Sequence, residues 1–69
     1  MKTGDKVVLH CDGRRVDAEV FLCSANGKSV FFTFEAILAG HVGAMPAIMH
    51  DATRGESLVG GVPIVVEAA

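Results

Sequence analysis

The residues best able to do chemistry in this chain are two thiols, three imidazoles and a scatter of carboxylates. His10 and Cys11 are adjacent, the most reactive-looking pair. A cysteine nucleophile needs a base within hydrogen-bond reach, but neighbours along a strand point to opposite faces. If residues 6–11 are extended, His10 cannot activate Cys11. His41, Met45, Met49 and His50 fall within ten residues, and thioethers with imidazole could take Cu(I). Met45, Ala47 and Met49 share one strand parity, however, which marks gap-filling core residues, and His50 has the other. Cys11 and Cys23 form no C-x-x-C pair, so spacing suggests neither zinc nor redox chemistry. The glycines make no phosphate-cradling motif. These residues imply no cofactor, no metal and no catalytic group.

The elements that must position these residues are read from the turn pairs. Asp12-Gly13, Asn26-Gly27, Arg54-Gly55 and Gly60-Gly61 separate runs rich in Val, Phe and Ile, the spacing of short strands in an all-β sandwich or barrel. A two-residue turn at Asp12-Gly13 sets Leu9 against Val16, Val7 against Ala18 and Lys6 against Glu19. One face is then Val7, Leu9, Cys11, Val16, Ala18, Val20 and Leu22. Lys6, Val8, His10, Arg15, Asp17, Glu19, Phe21 and Cys23 take the other. A two-residue turn at Asn26-Gly27 would carry Thr33 and Glu35 into the core, because a one-residue slip swaps faces. A three-residue loop Ala25-Asn26-Gly27, with Gly27 left-handed, restores an apolar interior. Val30 then faces Leu22, Phe32 faces Val20 and Phe34 faces Ala18. Phe31 turns outward opposite Phe21, and Glu35 lies opposite Asp17.

Glu35–Ala39 followed by Gly40 has the composition of one helical turn or of a continuing strand. Residues 41–46 read as a loop, 47–50 as a fourth strand, 51–56 as a polar turn and 58–61 as a tight bend. The fifth strand is 62–67, with Val62, Ile64 and Val66 inward and Pro63 near its start, where a missing N–H is tolerated. The fold class expected is all-β: a small five-stranded antiparallel barrel, one domain over residues 1–69. Val30–Met49 has the length of a membrane span, yet Gly40, Gly43, Pro46 and Glu35 interrupt it and its alternation is strand-like.

The opening Gly4-Asp5-Lys6-Val7-Val8-Leu9, the early Asp-Gly hairpin and the tight bend before the final strand resemble the SH3-like small barrel across the whole chain. That resemblance implies a last strand returning beside the first. The architecture hosts many unrelated functions. One is the type II dihydrofolate reductase, built on a Val-Gln-Ile-Tyr stretch; this chain has no Tyr. The cyclic-di-GMP-binding PilZ domain uses an R-x-x-x-R opening and a D/N-x-S-x-x-G strand. Arg14-Arg15 lacks that spacing, and Leu22 stands where the acid would be.

Composition narrows the function classes. The chain has 69 residues, 51% of them apolar, and a net charge of −2. It is too apolar for a disordered tail and short enough that a single core leaves it marginal, a deficit that oligomerisation often relieves. Its one adjacent cation pair, Arg14-Arg15, sits between Asp12 and Asp17. Neutralising a phosphate backbone takes several clustered cations. No signal-peptide pattern is present, which makes a cytoplasmic location the default expectation.

The surplus of apolar residues on the outer face is the most informative feature. Two aromatics in a contiguous patch on a solvated sheet are unusual in a monomer. Val8, His10, Phe21 and Phe31 are therefore the expected interface residues, and the Gly40–Met49 region carries the rest of the surplus where contact with another chain is expected, unless residues 40–46 fold over the outer face as a lid. The reading is a non-enzymatic interaction module that forms a homo-oligomer or binds a protein partner. Two rivals stand beside it: a ligand-binding or enzymatic site formed only between subunits, and a weak nucleic-acid-binding barrel using Arg14, Arg15 and Lys28.

Overall fold

Asp12 and Gly13, both at positive φ (53° and 74°), fold β1 (Lys6–Cys11) onto β2 (Arg14–Cys23). The register is the expected one: Lys6 with Glu19, Val7 with Ala18 and Leu9 with Val16. The computed structural model describes residues 1–69. It adds β3 (Ser29–Leu38), β4 (His41–Met49), β5 (Arg54–Ser57) and β6 (Pro63–Ala68), with no helix. Each strand pairs antiparallel with the next, and β6 returns to β1 to close the barrel. Closure removes most exposed sheet edge, the usual liability of a small sheet.

The barrel has six strands where five were expected. The extra strand is β5, in a segment read as part of a polar turn. Its inward residues are Gly55 and Ser57 and its outward ones Arg54 and Glu56, so it alternates with period 2 but carries no apolar signal. Gly55 lies between Met49 of β4 and Ile64 of β6. A Cβ there would stand 2.3 Å from the Ile48 carbonyl oxygen and 2.9 Å from the Met49 Cα. The missing side chain lets three strands close at this point.

The β3–β4 hairpin overturns two further expectations. Glu35–Leu38 continues β3 and forms no helical turn, and Ala39-Gly40 makes the reversal with φ of 52° and 80°. Residues 41–46, expected as a loop, are the first two-thirds of β4. Thr33 pairs with Ala44 and Ile37 with Val42, so Phe34–Ala36 face Gly43 alone. A strand bent this sharply shows a broken apolar period, which is why the sequence reads as irregular there. The bend also takes Glu35 out of line: the β2–β3 ladder ends at Ala18–Phe34, and Asp17 and Glu35 are not register partners.

The β2–β3 hairpin keeps the expected pairs Ala18–Phe34 and Val20–Phe32, then shifts by one at a bulge between Val20 and Leu22. Leu22 pairs with Phe31 and Cys23 with Val30. The shift lengthens the loop to four residues, closed by the Ser24 amide donating to the Ser29 carbonyl at 2.9 Å. Gly27 is left-handed as expected (φ 72°). Parity therefore reverses at the end of β2: Leu22, expected inside, is exposed, and Cys23, expected outside, packs against the core.

Fifteen buried residues fill the barrel, with Leu9, Val20, Phe32, Leu38 and Met45 shut off from solvent. Ile64 and Val66 point inward from β6 as expected. At the opposite side, Asp51 organises the β4–β5 connection. Its Oδ1 accepts from the Thr53 and Arg54 amides, both at 2.8 Å. The Thr53 amide, then that of Arg54, holds the carboxyl below its ordinary value of 3.8. A depressed carboxylate contributes order that is present above the unfolded value and lost as pH falls through the folded one. The Thr53 amide shift, followed by NMR, should therefore titrate with a midpoint below 3.8, and Asp51→Asn should abolish the step. A midpoint at or above 3.8 would remove this assignment.

Candidate functional site

Two regions of the outer face differ in character, apart from the exposed Ile37–Val42 pair at the β3–β4 hairpin and Val65 beside His10. Around β1, Val8 is flanked by its register partners Asp17 and Glu67 and lies between Lys6 and His10. Lys6 pairs with Glu19, and His10 Nε2 stands 3.5 Å from Glu67. Val8 has outward parity and belongs to no part of the barrel core, yet it is only 4% exposed. Its neighbours on the outer face are all charged or polar. This region is a charged surface over a covered valine.

The second region begins where β2 bulges. The extra residue puts both Phe21 and Leu22 on the outside, 52% and 59% exposed. The Phe21 and Phe31 rings meet edge-on with centroids 6.1 Å apart, although the register partner of Phe31 is Leu22. On the other flank Phe31 pairs with Pro46 of β4. The Pro46 carbonyl accepts the Leu58 amide at 3.0 Å. β5 has ended at Ser57, so the absent proline N–H falls where no strand needs it.

The result is a row that crosses the strands: Phe21 and Leu22, then Phe31, Pro46 and Leu58. Leu58 and the adjacent Val59 are 54% and 64% exposed, and Ile48 flanks the row. Leu22, Phe31, Pro46 and Leu58 line a shallow groove of about 360 Å³ whose remaining walls are Cys23, Ser24, Ser29, Val30 and Ala47. No ionisable group other than the Cys23 thiol touches it.

Of the four expected interface residues, Phe21 and Phe31 lie in this row. Val8 and His10 lie apart, separated from it along β2 by Asp17 and Glu19. Residues 40–46 do not form a lid, because Gly40 belongs to the β3–β4 turn and 41–46 to strand β4, hydrogen-bonded beside β3. Pro46 lies within the Gly40–Met49 region expected to make contact, whereas Leu22, Leu58 and Val59 were missed. Leu22 was lost to the bulge. Leu58-Val59 carried a legible signal, two large apolar residues in a bend with no inward register.

The remaining candidates separate. Cys11 is buried and Cys23 half-buried, and both are free thiols. Burial, then the charge of Asp12, pushes the Cys11 thiol above its ordinary 9.0, so it stays protonated and unreactive at neutral pH. Met45 and Met49 are core residues, while His50 sits at the surface 3.6 Å from Glu56. No group of three His, Cys, Asp or Glu side chains could hold a metal. The Arg14 guanidinium donates to the Ile37 carbonyl. Lys28 is in the β2–β3 loop, at the other end of β2 from Arg14 and Arg15. No helix is long and apolar enough to cross a membrane. No known protein family, curated protein or solved structure matches the chain.

Proposed function

We propose that the protein is a non-enzymatic interaction module that self-associates through the apolar row on the β2–β3–β4 face. The observation that carries this reading is the uninterrupted sequence Phe21, Leu22, Phe31, Pro46, Leu58 across three strands and a loop, with no charged residue within it. Aromatic side chains bury about 150–250 Å² each. On that scale the five exposed large side chains on and beside the row, Phe21, Leu22, Ile48, Leu58 and Val59, hold on the order of 500 Å², near the top of the range for the largest patch on a monomer.

The size also suits a second copy. A stable interface buries about 800 Å² per partner, roughly a fifth of this chain's 4182 Å². The row with its Ser24, Ser29 and Ile48 surround supplies most of that. A two-fold dimer needs only one self-complementary patch, and covering this one adds apolar burial to a barrel whose interior is limited to fifteen residues. We read the layout as SH3-like, supported by the last strand returning beside the first.

Light scattering behind size exclusion tests the reading. At about 100 µM the wild type should run above the 7.2 kDa chain mass. Phe21→Asp, at an exposed position on the bulge, should run as a folded monomer. A wild type that is monomeric under these conditions removes the reading and leaves a different protein partner as the occupant of the row.

A further inference from the structure

We infer that the association is reciprocal and knob-into-groove: Val59 of one copy enters the groove bounded by Leu22, Phe31, Pro46 and Leu58 of a second copy, whose own Val59 does the same in return. This rests on the reading of the row as a self-association surface and specifies how the row is filled.

Three observations lead to it. The first is the rigidity of the knob. The β5–β6 loop spans only residues 58–62, and the Ser57 amide donates to the Val62 carbonyl at 2.9 Å. The Leu58 amide is held by Pro46. Ser57 is the one polar residue in the buried set, and its hydroxyl donates to the Val59 carbonyl at 2.6 Å. A buried hydroxyl spent on this carbonyl fixes the backbone of Val59 while its side chain stays 64% exposed. Gly60 and Gly61 then turn the chain away, both at positive φ. Ordering this loop on binding costs little, because it is ordered beforehand.

The second observation is the chemistry of the groove. Its walls are aliphatic, aromatic, thiol and hydroxyl groups, with no Lys, Arg, His, Asp or Glu. A valine entering it desolvates no charge, whereas an anionic or cationic segment would find no counter-charge. At about 360 Å³ the groove has room for a valine side chain.

The third is the placement of knob and groove. Leu58 forms one wall of the groove, and Val59, the next residue, lies outside it. The knob is thus the chain neighbour of one wall of the hole, and a two-fold axis close to both would seat the two valines at once and close the contact as a dimer. A head-to-tail contact using surfaces on different faces would continue into a ring or a filament.

The test uses the full chain in two ways. Val59→Asp changes only an exposed loop side chain, so its circular dichroism and melting should match those of monomeric wild type, and its dimer dissociation constant should rise at least tenfold. In a sample mixing isotope-labelled and unlabelled wild type, filtered NOEs should connect Val59 methyls of one copy to the Phe31 ring of the other. A dimer that persists unchanged in Val59→Asp, or intermolecular NOEs confined to other residues, overturns the knob-into-groove mode while leaving self-association intact. Concentration-dependent growth beyond a dimer also overturns it. A wild type that stays monomeric at about 100 µM overturns both.

Discussion

Gly55→Ala should destabilise the barrel by about 3 kcal/mol, the upper part of the ordinary range for overpacking. The cause is space alone. The φ of Gly55 lies in the normal negative range, so alanine meets no dihedral penalty, but its methyl would stand 2.3 Å from the Ile48 carbonyl oxygen, 2.8 Å from the Met49 sulfur and 2.9 Å from the Met49 Cα. The sulfur can move. The two backbone atoms move only if β4 shifts away from β5, and β5 is only four residues long. At roughly 0.05–0.15 kcal/mol per residue, a chain of this length holds only several kcal/mol in total. Urea unfolding followed by circular dichroism should show the midpoint fall with little change in slope. A variant as stable as wild type would mean that β4 and β5 are further apart than described.

Phe32→Ala should cost about 4 kcal/mol, in the range for truncating a buried phenylalanine, and lower the melting temperature by roughly 20 °C. Phe32 is fully buried and its register partners are Val20 and Met45, themselves fully buried. The barrel has no adjacent large side chain free to refill the space, so a cavity remains. The neighbouring Phe31→Ala is the control. Phe31 faces the outer row and its contact with Phe21 is worth about 1 kcal/mol, so its loss should lower the melt of the monomer by only about 5 °C while weakening self-association. The two substitutions sit one residue apart and separate core from surface by the alternation of a strand. Equal costs would place β3 one residue out of register.

These variants mark how far the sequence could be read. The first hairpin was legible in full because Asp12-Gly13 specifies a two-residue turn, and parity does the rest. Beyond the β2–β3 turn the reading held for Ala18–Phe34 and Val20–Phe32 and failed within two residues of them. A bulge is set by how the whole sheet must curve to close, and no residue between Val20 and Cys23 announces it. The fifth strand was invisible for a related reason. Gly55 and Ser57 are inward because β4 and β6 come close there, a demand for small volume that hydrophobic patterning does not register.

The candidate surface divides along the same line. That the chain carries more apolar residues than one small barrel core can hold, and that Phe21 and Phe31 lie among the surplus, follows from composition and alternation alone. Which residues join them was decided by the closed sheet. The β2 bulge rotates Leu22 outward and Cys23 inward, β4 begins at His41 and brings Pro46 against Phe31, and the buried Ser57 hydroxyl holds Val59 out in solvent. Closure likewise withdraws Val8 from the surface by ringing it with Lys6, His10, Asp17 and Glu67. Local alternation assigns a side to each residue within one strand. Neighbours across strands depend on bulges and curvature, which are properties of the barrel as a whole.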